Sequence, residues 1–418
     1  MAEVKKLDIY RDDQFVGQLI DGNQLQFIYA DTWINEKNSA IIPTLPTSKK
    51  EHIGNTVESY FENLLPEAGL RDLLKMKHQV STTFGLLSVV GGDTASNLMI
   101  LPEGHLPKKF EYQMIEWSDV LANFRNQAGV IATAREKTGI RISLAGAQRK
   151  LGVVIQNEQL LLPLGNSASS YIVKPDIVGV EGVWSSAINE AFVMRLAHTI
   201  KLGVAKVFYQ PVVQACVIER YDRVQEQDLK ISKVHQLDLC QLDGKTSHIK
   251  YESEGGPSLK HCYELLKDFG VPANDLKRFI GWIFFNLFVG NYDSHAKNLS
   301  IYFPDQSGVR LTPFYDLLCT DIYPGLSRNF AFAIGGESRP SHIEIKHLKL
   351  MAQDLLVKES FALEIGQKIS HQILENMELT FKDLMSTHPK GGDFILLERL
   401  NGHIIKNTQK LQKRFNFA

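Results

Sequence analysis

The sequence predicts an α+β fold in which a β-rich first part is followed by a mixed part and a helical last part. Apolar and polar residues alternate over about the first thirty residues, which is the pattern of half-buried strands. Strand-like and helix-like runs then follow one another up to about residue 250. From about residue 258 the apolar residues recur mostly at helical spacing.

The composition is that of a globular protein. The chain has 418 residues, which predicts two or three domains. Hydrophobic residues make up 44% and charged residues 22%, and 46 Lys+Arg against 47 Asp+Glu leave a formal net charge of −1. A free-standing nucleic-acid binder usually has a basic excess, so this balance argues against that class and leaves open contact with DNA through a partner.

The cysteines and the chain start predict a cytoplasmic protein. The four cysteines are Cys216, Cys240, Cys262 and Cys319. Their spacing contains no CxxC and fits no zinc site, so we expect free thiols and no disulfide framework. The first fourteen residues lack the apolar segment of a secretion signal. The most apolar run, residues 279–290, is too short to span a bilayer and is predicted to be a buried core helix.

Local patterns divide the chain into three predicted parts, residues 1–105, 106–245 and 246–418. Apolar–polar runs at 7–10, 16–19 and 25–27, with a turn at 21–23, predict a β-meander. Residues 57–77 have helical spacing that Pro66 interrupts. The Pro-containing stretch 101–107 is the first predicted boundary. Strands are expected at 151–155 and 170–174, and a helix from residue 186 to 201.

Residues 290–298, GNYDSHAKN, form the most informative segment. They follow the apolar helix and precede a short predicted strand at 299–303. Phosphoryl transfer from a magnesium nucleotide needs an Asp that accepts the proton of the attacking hydroxyl, and an Asn five residues later that places an oxygen on the metal. Asp293 and Asn298 have this spacing. The alternative is a polar turn that caps two elements.

Asp316 is the second candidate. A short strand predicted at 309–314 delivers it eighteen residues after Asn298. In protein kinases an Asp that follows the catalytic loop holds magnesium against the phosphates. The alternative is a turn former or a helix cap.

Three further features are weaker when taken singly. Residues 143–150, SLAGAQRK, form a small-residue loop whose backbone N–H groups could approach phosphates; an ordinary turn is the alternative. Lys174 ends an apolar strand and could neutralise phosphates if Glu190 orients it, although most such residues are solvated surface charges. Residues 217–222 run from a strand into a linker that could meet an adenine edge, or are simply a charge cluster at a strand end.

The linear order of these features is that of a protein kinase. A small-residue loop, a strand Lys, a helix Glu, a linker, Asp-x4-Asn and a final Asp follow one another along the chain. The shift from β-rich to helical composition falls where a kinase changes lobes. The sequence therefore predicts a bilobed protein-kinase-like fold with an extra β-rich N-terminal subdomain and a helical C-lobe.

The sequence resembles the HipA-type serine/threonine kinases, which are the toxin half of bacterial toxin–antitoxin pairs. The resemblance covers nearly the whole chain, and the SLAGAQ-x-K and GN-x-D-x-H-x-K-N runs are its most specific parts. The matching stretches are 61–67 (FENLLPE), 91–93 (GGD), 143–150, 171–174, 189–190, 219–223, 250–257 (KYESEGGP), 290–298 and 314–316.

The resemblance implies roles for individual residues, with ATP and Mg²⁺ as cofactors. Asp293 would be the catalytic base, and Glu190 would orient Lys174. Asn298 and Asp316 would hold the metal. Ser143 would be an autophosphorylation site. The implied ATP-binding residues are Ala145, Gly146, Ala147, Gln148, Arg149, Lys150, Lys174, Glu219, Arg220, Tyr221, His295, Ala296, Lys297, Asn298 and Asp316.

The resemblance also implies a biological setting. The protein would be cytoplasmic in a bacterium and would phosphorylate a translation component such as an aminoacyl-tRNA synthetase. Its expected partner is a HipB-like helix-turn-helix antitoxin dimer, through which it would join operator DNA at the nucleoid. One alternative is a catalytically weak co-repressor that completes the antitoxin–DNA complex. Another is a metal-assisted hydrolase using Asp293, His295 and Asp316, which lacks the dense ligand spacing of such sites.

Overall fold

The computed structural model describes residues 5–107, 110–129, 148–226, 230–304 and 308–417. The chain divides into two compact units. Unit 1 comprises Met1–Ile172 and Asp222–His248, and unit 2 comprises Val173–Tyr221 and Ile249–Ala418. The chain therefore passes between the units three times.

Unit 1 begins with a five-stranded antiparallel sheet and helices. The strands are β1 (Lys6–Arg11), β2 (Gln14–Ile20), β3 (Gln26–Tyr29), β4 (Glu51–Ile53) and β5 (Leu98–Pro102), in the order β4-β3-β2-β1-β5. The helices are α1 (Asp31–Asn35), α2 (Asn55–Glu62), α3 (Ala68–His78) and α4 (Thr83–Val90). The predicted meander and the helix break at Pro66 are confirmed.

The sheet packs against α2 through aromatic residues. The Phe27 and Phe61 ring centroids lie 5.9 Å apart, and both side chains are fully buried. Strands β2 and β3 approach closely at Gly17, where an added Cβ would lie 2.2 Å from the carbonyl oxygen of Ile28. Only glycine fits that position without moving the neighbouring strand.

A second antiparallel sheet follows in unit 1. The elements are β6 (Glu111–Ile115), α5 (Trp117–Gly129), β7 (Leu151–Gln156) and β8 (Gln159–Leu164), with strand order β7-β8-β6.

The chain then enters unit 2 within a strand. The elements are β9 (Tyr171–Pro175), α6 (Ser186–Thr199), β10 (Val207–Gln210) and β11 (Ala215–Glu219). The last three residues of β9 belong to unit 2, where the strand order is β10-β11-β9. Helix α6 is buried along most of its length, because it packs between these strands and the later helices of the same unit.

The return to unit 1 consists of short elements. They are β12 (Arg223–Gln225), β13 (Ile231–Lys233), β14 (Gln236–Asp238) and α7 (Leu239–Leu242), with β12 and β13 antiparallel. A capping box between Asp238 and Gln241 starts α7.

The rest of unit 2 is mainly helical. The elements are α8 (Leu259–Asp268), α9 (Ala273–Val289), β15 (Ser300–Tyr302), β16 (Arg310–Leu311), α10 (Ile345–Asp354), α11 (Glu359–Met385) and α12 (Gly392–Phe415). The predicted core helix at 279–290 is confirmed, because α9 buries all its residues from Phe279 to Val289. Helix α11 packs closely on it at Gly366, where an added Cβ would lie 2.5 Å from the Phe284 ring.

All four cysteines are free and buried, as expected. Within the part of the chain that the structure describes, no helix has the length and apolar character needed to cross a membrane.

Candidate active site

Lys174 lies at the centre of a charged cluster in unit 2. Strand β9 carries Lys174, and helix α6 carries Glu190. Lys174 Nζ donates to Glu190 Oε1 at 2.8 Å and to Asp316 Oδ1 at 2.7 Å. The side chains of Lys174 and Glu190 are 9% and 3% exposed, whereas that of Asp316 is 41% exposed. The cluster is therefore closed around the lysine and open to solvent at Asp316.

The electrostatics keep Lys174 charged. Burial alone opposes the ammonium charge, but the nearby carboxylates of Asp316 and Glu190 outweigh it and raise the pKa of Lys174. A fixed ammonium ion beside an open carboxylate is suited to a ligand that carries both phosphate groups and a divalent cation.

Asp316 has an unusual backbone and links two parts of the site. Its φ of 60° lies in the left-handed region, which Asp and Asn tolerate better than most residues. Asn298 Nδ2 donates to Asp316 Oδ2 at 3.0 Å, while Asn298 Oδ1 accepts from the backbone N–H of His295 at 3.0 Å. The Asp316 carboxylate thus bridges Lys174 and the loop at 290–298.

The start of that loop is fixed to α9. Gly290 ends the helix with a φ of 74°, and an added Cβ would lie 2.9 Å from the Cβ of Asp321. The buried Asn291 donates from its backbone N–H to Asn286 O at 2.9 Å, and from Nδ2 to Asn286 Oδ1 at 2.8 Å. The Gly-Asn pair of the motif therefore positions the loop and leaves the chemistry to the residues that follow.

Asp293 is exposed in a loop whose other residues are buried. Residues 291, 292 and 294–298 are all buried, so the loop presents a single carboxylate to solvent. Tyr251 Oη donates to Asp293 Oδ1 at 2.7 Å. The Tyr251 ring also meets the ring of His295 edge-on, with centroids 5.2 Å apart.

The predicted linker residues also lie in unit 2. Glu219 is the last residue of β11, and Arg220 is buried. The Tyr221 ring stacks on Tyr315 with centroids 5.9 Å apart, and meets Tyr302 edge-on at 6.0 Å. The structure thus places Tyr221 against Tyr315, the residue before Asp316.

The predicted phosphate-binding loop is described only at its end. Ser143, Ala145, Gly146 and Ala147 lie outside the described residues. Gln148, Arg149 and Lys150 precede β7 in unit 1, and Arg149 donates to the carbonyl oxygen of Phe124 at 3.3 Å. The other predicted residues of the site belong to unit 2.

Two tyrosines of the site were not assigned a role from sequence. Tyr251 contacts Asp293 across 42 residues of chain. Tyr315 donates to the carbonyl oxygen of Lys297 at 2.7 Å and bonds to Ser300 Oγ at 2.8 Å. Both tyrosines lie in stretches that carry the family resemblance, which was the one available signal.

The oxygen atoms of Asp316 and Asn298 meet part of what a Mg²⁺ site requires. Mg²⁺ is usually held by one or two carboxylates together with substrate phosphates, and the open Asp316 carboxylate suits that role. Asn298 Oδ1 accepts one hydrogen bond, from the His295 N–H at 3.0 Å, and an amide oxygen has a second lone pair that can serve a metal. Among the described residues, no three or more His, Cys, Asp or Glu side chains form a metal-binding group. Asp293, His295 and Asp316, the set of the hydrolase alternative, therefore form none.

A cavity of about 450 Å³ lies elsewhere, in unit 1. It is lined by the turn after β2, by the Glu62–Arg71 pair and by the start of α4. None of the predicted site residues lines it, and Arg71 is bound to Glu62. The chemistry predicted from sequence is not located there.

The chain matches two family models and a relative of similar length. The family model described as the HipA-like C-terminal domain matches residues 142–377, and the model of the HipA N-terminal domain matches residues 7–101. Y4mE of Sinorhizobium fredii is 35% identical over 383 residues, which cover 87% of this chain and 86% of Y4mE.

A toxin and a solved structure are also similar. The serine/threonine-protein kinase toxin HipA of Shewanella oneidensis is 27% identical over 391 residues, covering 89% of this chain and 88% of the toxin. A structure of Shewanella oneidensis MR-1 HipA with HipB and operator DNA matches with a TM-score of 0.82 and 24% identity, over 97% of both chains. This structural match confirms the predicted fold class.

Proposed function

Because the chain belongs to the HipA family, we propose that it is a serine/threonine-protein kinase that uses ATP and Mg²⁺. One observation carries the proposal: an ion-paired Lys174, an open Asp316 and an exposed Asp293 occur together in one compact unit. Protein kinases need these three functions: a phosphate-binding cation, a metal-binding carboxylate and a proton acceptor.

Each residue has a proposed task at a named atom. Lys174 Nζ, held by Glu190, binds the phosphates of ATP. Asp316 and Asn298 would hold Mg²⁺, which would supply positive charge to the phosphates of ATP. The γ-phosphorus–oxygen bond to ADP breaks as the acceptor hydroxyl oxygen bonds to phosphorus. The hydroxyl proton passes to the carboxylate of Asp293, and ADP leaves.

The adenine would lie near the linker. Glu219, Arg220 and Tyr221 are the proposed hinge, and the Tyr221–Tyr315 stack supports this assignment because it joins the hinge to the residue before Asp316. His295, Ala296 and Lys297 complete the catalytic loop in the proposal. Their burial is what a rigid loop that holds Asn298 requires.

We also propose the partner and the substrate class. The similar Shewanella structure contains HipB and operator DNA, which supports a HipB-like helix-turn-helix antitoxin as partner and operator DNA reached through it. The net charge of −1 is in keeping with DNA contact through a partner. A translation component, with aminoacyl-tRNA synthetases first, is the proposed substrate class.

Ser143 is the proposed site of autophosphorylation. A phosphoserine adds about −1.5 to −2 charge near neutral pH. In a loop that binds ATP phosphates, this charge would repel the nucleotide and switch the enzyme off.

The test is phosphate incorporation into the full chain incubated with Mg-ATP. We expect the wild type to gain the mass of one phosphoryl group, mapped to Ser143. Asp293→Asn should slow incorporation by about 10²–10⁴-fold, the usual contribution of a general base. Asp268→Asn is the matched control, because Asp268 is an exposed carboxylate at the end of α8 in the same unit. Incorporation that is equal in wild type and Asp293→Asn, or absent from all three, would overturn the proposal and favour the co-repressor alternative.

A further inference from the structure

Tyr251 contacts the side chain of Asp293 directly. Its phenol donates to Asp293 Oδ1 at 2.7 Å, and its ring packs edge-on against His295 of the same loop. Lys250 Nζ also lies over the Tyr251 ring, 5.4 Å from its centroid. The phenol is therefore held in one orientation, with its hydroxyl on one oxygen of the carboxylate.

The backbone around Tyr251 is fixed by a tight turn. Gly256 N–H donates to the carbonyl oxygen of Tyr251 at 2.9 Å. Gly255 has a φ of 90°, and a Cβ at Gly256 would lie 2.8 Å from that same oxygen. The Gly-Gly pair of the KYESEGGP stretch is thus required for the chain to fold back over Tyr251.

The turn is also tied to the segment that pairs with the catalytic loop. Glu252 N–H donates to Ala331 O at 3.3 Å, and Glu252 Oε2 accepts from Ala333 N–H at 2.7 Å. Ala331 N–H in turn donates to the carbonyl oxygen of Tyr292 at 2.9 Å. The supports of Tyr251 and of Asp293 therefore meet at residues 331–333, all within unit 2.

We propose that Tyr251 is a positioning residue for the proton acceptor of the reaction. This inference rests on the proposed kinase function. By occupying Oδ1, the phenol fixes the plane of the carboxylate and leaves Oδ2 as the atom that accepts the proton of the substrate hydroxyl. A general base acts only when its accepting atom lies within hydrogen-bond reach of the proton, so fixing one oxygen places the other.

The hydrogen bond also has an electrostatic effect. A donor on a carboxylate stabilises its charged form, and a base must be charged to accept the proton. Loss of the phenol should therefore lower the maximal rate and leave the ATP concentration at half-maximal rate nearly unchanged. A residue that only supports the fold would change both together.

The test compares Tyr251→Phe with the wild type, measuring total phosphate incorporated per full-length chain from Mg-ATP. We expect the maximal rate constant to fall by about 10-fold, the effect of losing one hydrogen bond to a charged group. The ATP concentration at half-maximal rate should stay within about 2-fold, because the phenol acts on the base and not on the nucleotide. Tyr263→Phe, which removes the hydroxyl of a ring tilted against Phe279 of α9, should match the wild type in rate.

Several outcomes would overturn the inference. An unchanged or higher rate in Tyr251→Phe would show that the phenol is neutral or blocks the acceptor position. Phosphate mapped to Tyr251 in the wild type would make it an acceptor. Loss of thermal stability in Tyr251→Phe, together with a changed ATP concentration at half-maximal rate, would reduce it to a structural residue. No incorporation in the wild type would overturn the proposed kinase function and this inference together.

Discussion

The two units place buried charge in different settings. In unit 2, Lys174 is enclosed by Glu190, but its other partner, Asp316, is 41% exposed. In unit 1, Glu62 and Arg71 form a pair whose side chains are 4% and 7% exposed. The Glu62–Arg71 pair is closed to solvent, whereas an open carboxylate next to a buried cation leaves a place for a ligand.

A second cluster in unit 1 is closed in the same way. Arg223 is fully buried and donates to Asp222 at 2.6 Å and to Asp93 at 3.1 Å, and Lys233 lies 3.4 Å from Asp93. Asp93 also accepts from Ser169. The stretches 61–67 and 91–93 also belong to the family resemblance. Their charged residues hold unit 1 together, so a shared motif by itself does not distinguish structure from chemistry.

Two isosteric substitutions test whether the charged groups of the two units differ in this way. The larger expected effect is on activity, in Asp316→Asn, which should lower phosphate incorporation by about 10³-fold, the upper range for removing one stabilising group from a transition state. Stability should change little, because the side chain is open to solvent and Asn tolerates the same φ. Thermal unfolding and the incorporation assay measure both. A large loss of stability would mean that Asp316 is as structural as Glu62.

In unit 1, Glu62→Gln should lower stability and leave the rate constant unchanged. The carboxylate of Glu62 accepts from Arg71 and from the backbone N–H and Oγ of Ser247. Its replacement leaves a buried guanidinium without its counter-charge, which costs about 3–5 kcal/mol of unfolding free energy. The rate constant of the folded fraction should remain that of the wild type. Chemical denaturation followed by the kinase assay checks this, and an equal loss of rate would contradict the closed-pair interpretation.

A buried group in each unit should also make the free energy of unfolding depend on pH, and the two dependences should have opposite sign. In unit 1, burial and Arg11 lower the pKa of His235 from 6.5 to about 3. Its contribution to stability is complete above pH 6.5 and is lost as pH falls toward 3. In unit 2, burial and Asp393 raise the pKa of Asp176 from 3.8 to about 6. Its contribution is present below pH 3.8 and is lost as pH rises through 6.

Between about pH 6 and 4 the two contributions oppose each other, each with a slope of at most about 1.4 kcal/mol per pH unit. We expect His235→Asn to gain stability on acidification relative to the wild type, and Asp176→Asn to lose it. Urea unfolding at several pH values in this range measures the slopes. Slopes of the same sign in both variants would refute the comparison.

Much of the architecture followed from the sequence, and the limits have physical causes. Alternation predicted β1 to β3, and the apolar run predicted α9, because both depend on local periodicity. The strand expected at 309–314 covers only Arg310–Leu311, since Pro313 has no N–H to donate to a ladder.

Residues of the candidate site could be predicted where their order along the chain is that of a protein kinase. Lys174, Glu190 and Asp316 were singled out by spacing, and the structure brings them into contact. The contact between Tyr251 and Asp293 could not be derived in that way. It depends on a glycine turn and on hydrogen bonds to residues 331–333, and no local pattern encodes a meeting of segments so far apart. The roles assigned to these residues stay predictions until the activity measurements are made.

The left-handed backbone of Asp316 has an evolutionary consequence. Asp, Asn and Gly are the residues that such a φ accepts most readily, and a single base change converts an Asp codon into one for Asn or for Gly. A lineage could therefore lose the carboxylate proposed to bind the metal in one mutational step while the polypeptide still folds. Glu, which keeps the charge, would strain the backbone instead. If the proposed function is correct, folded descendants without activity are thus easier to reach from this position than active ones with a longer acidic side chain.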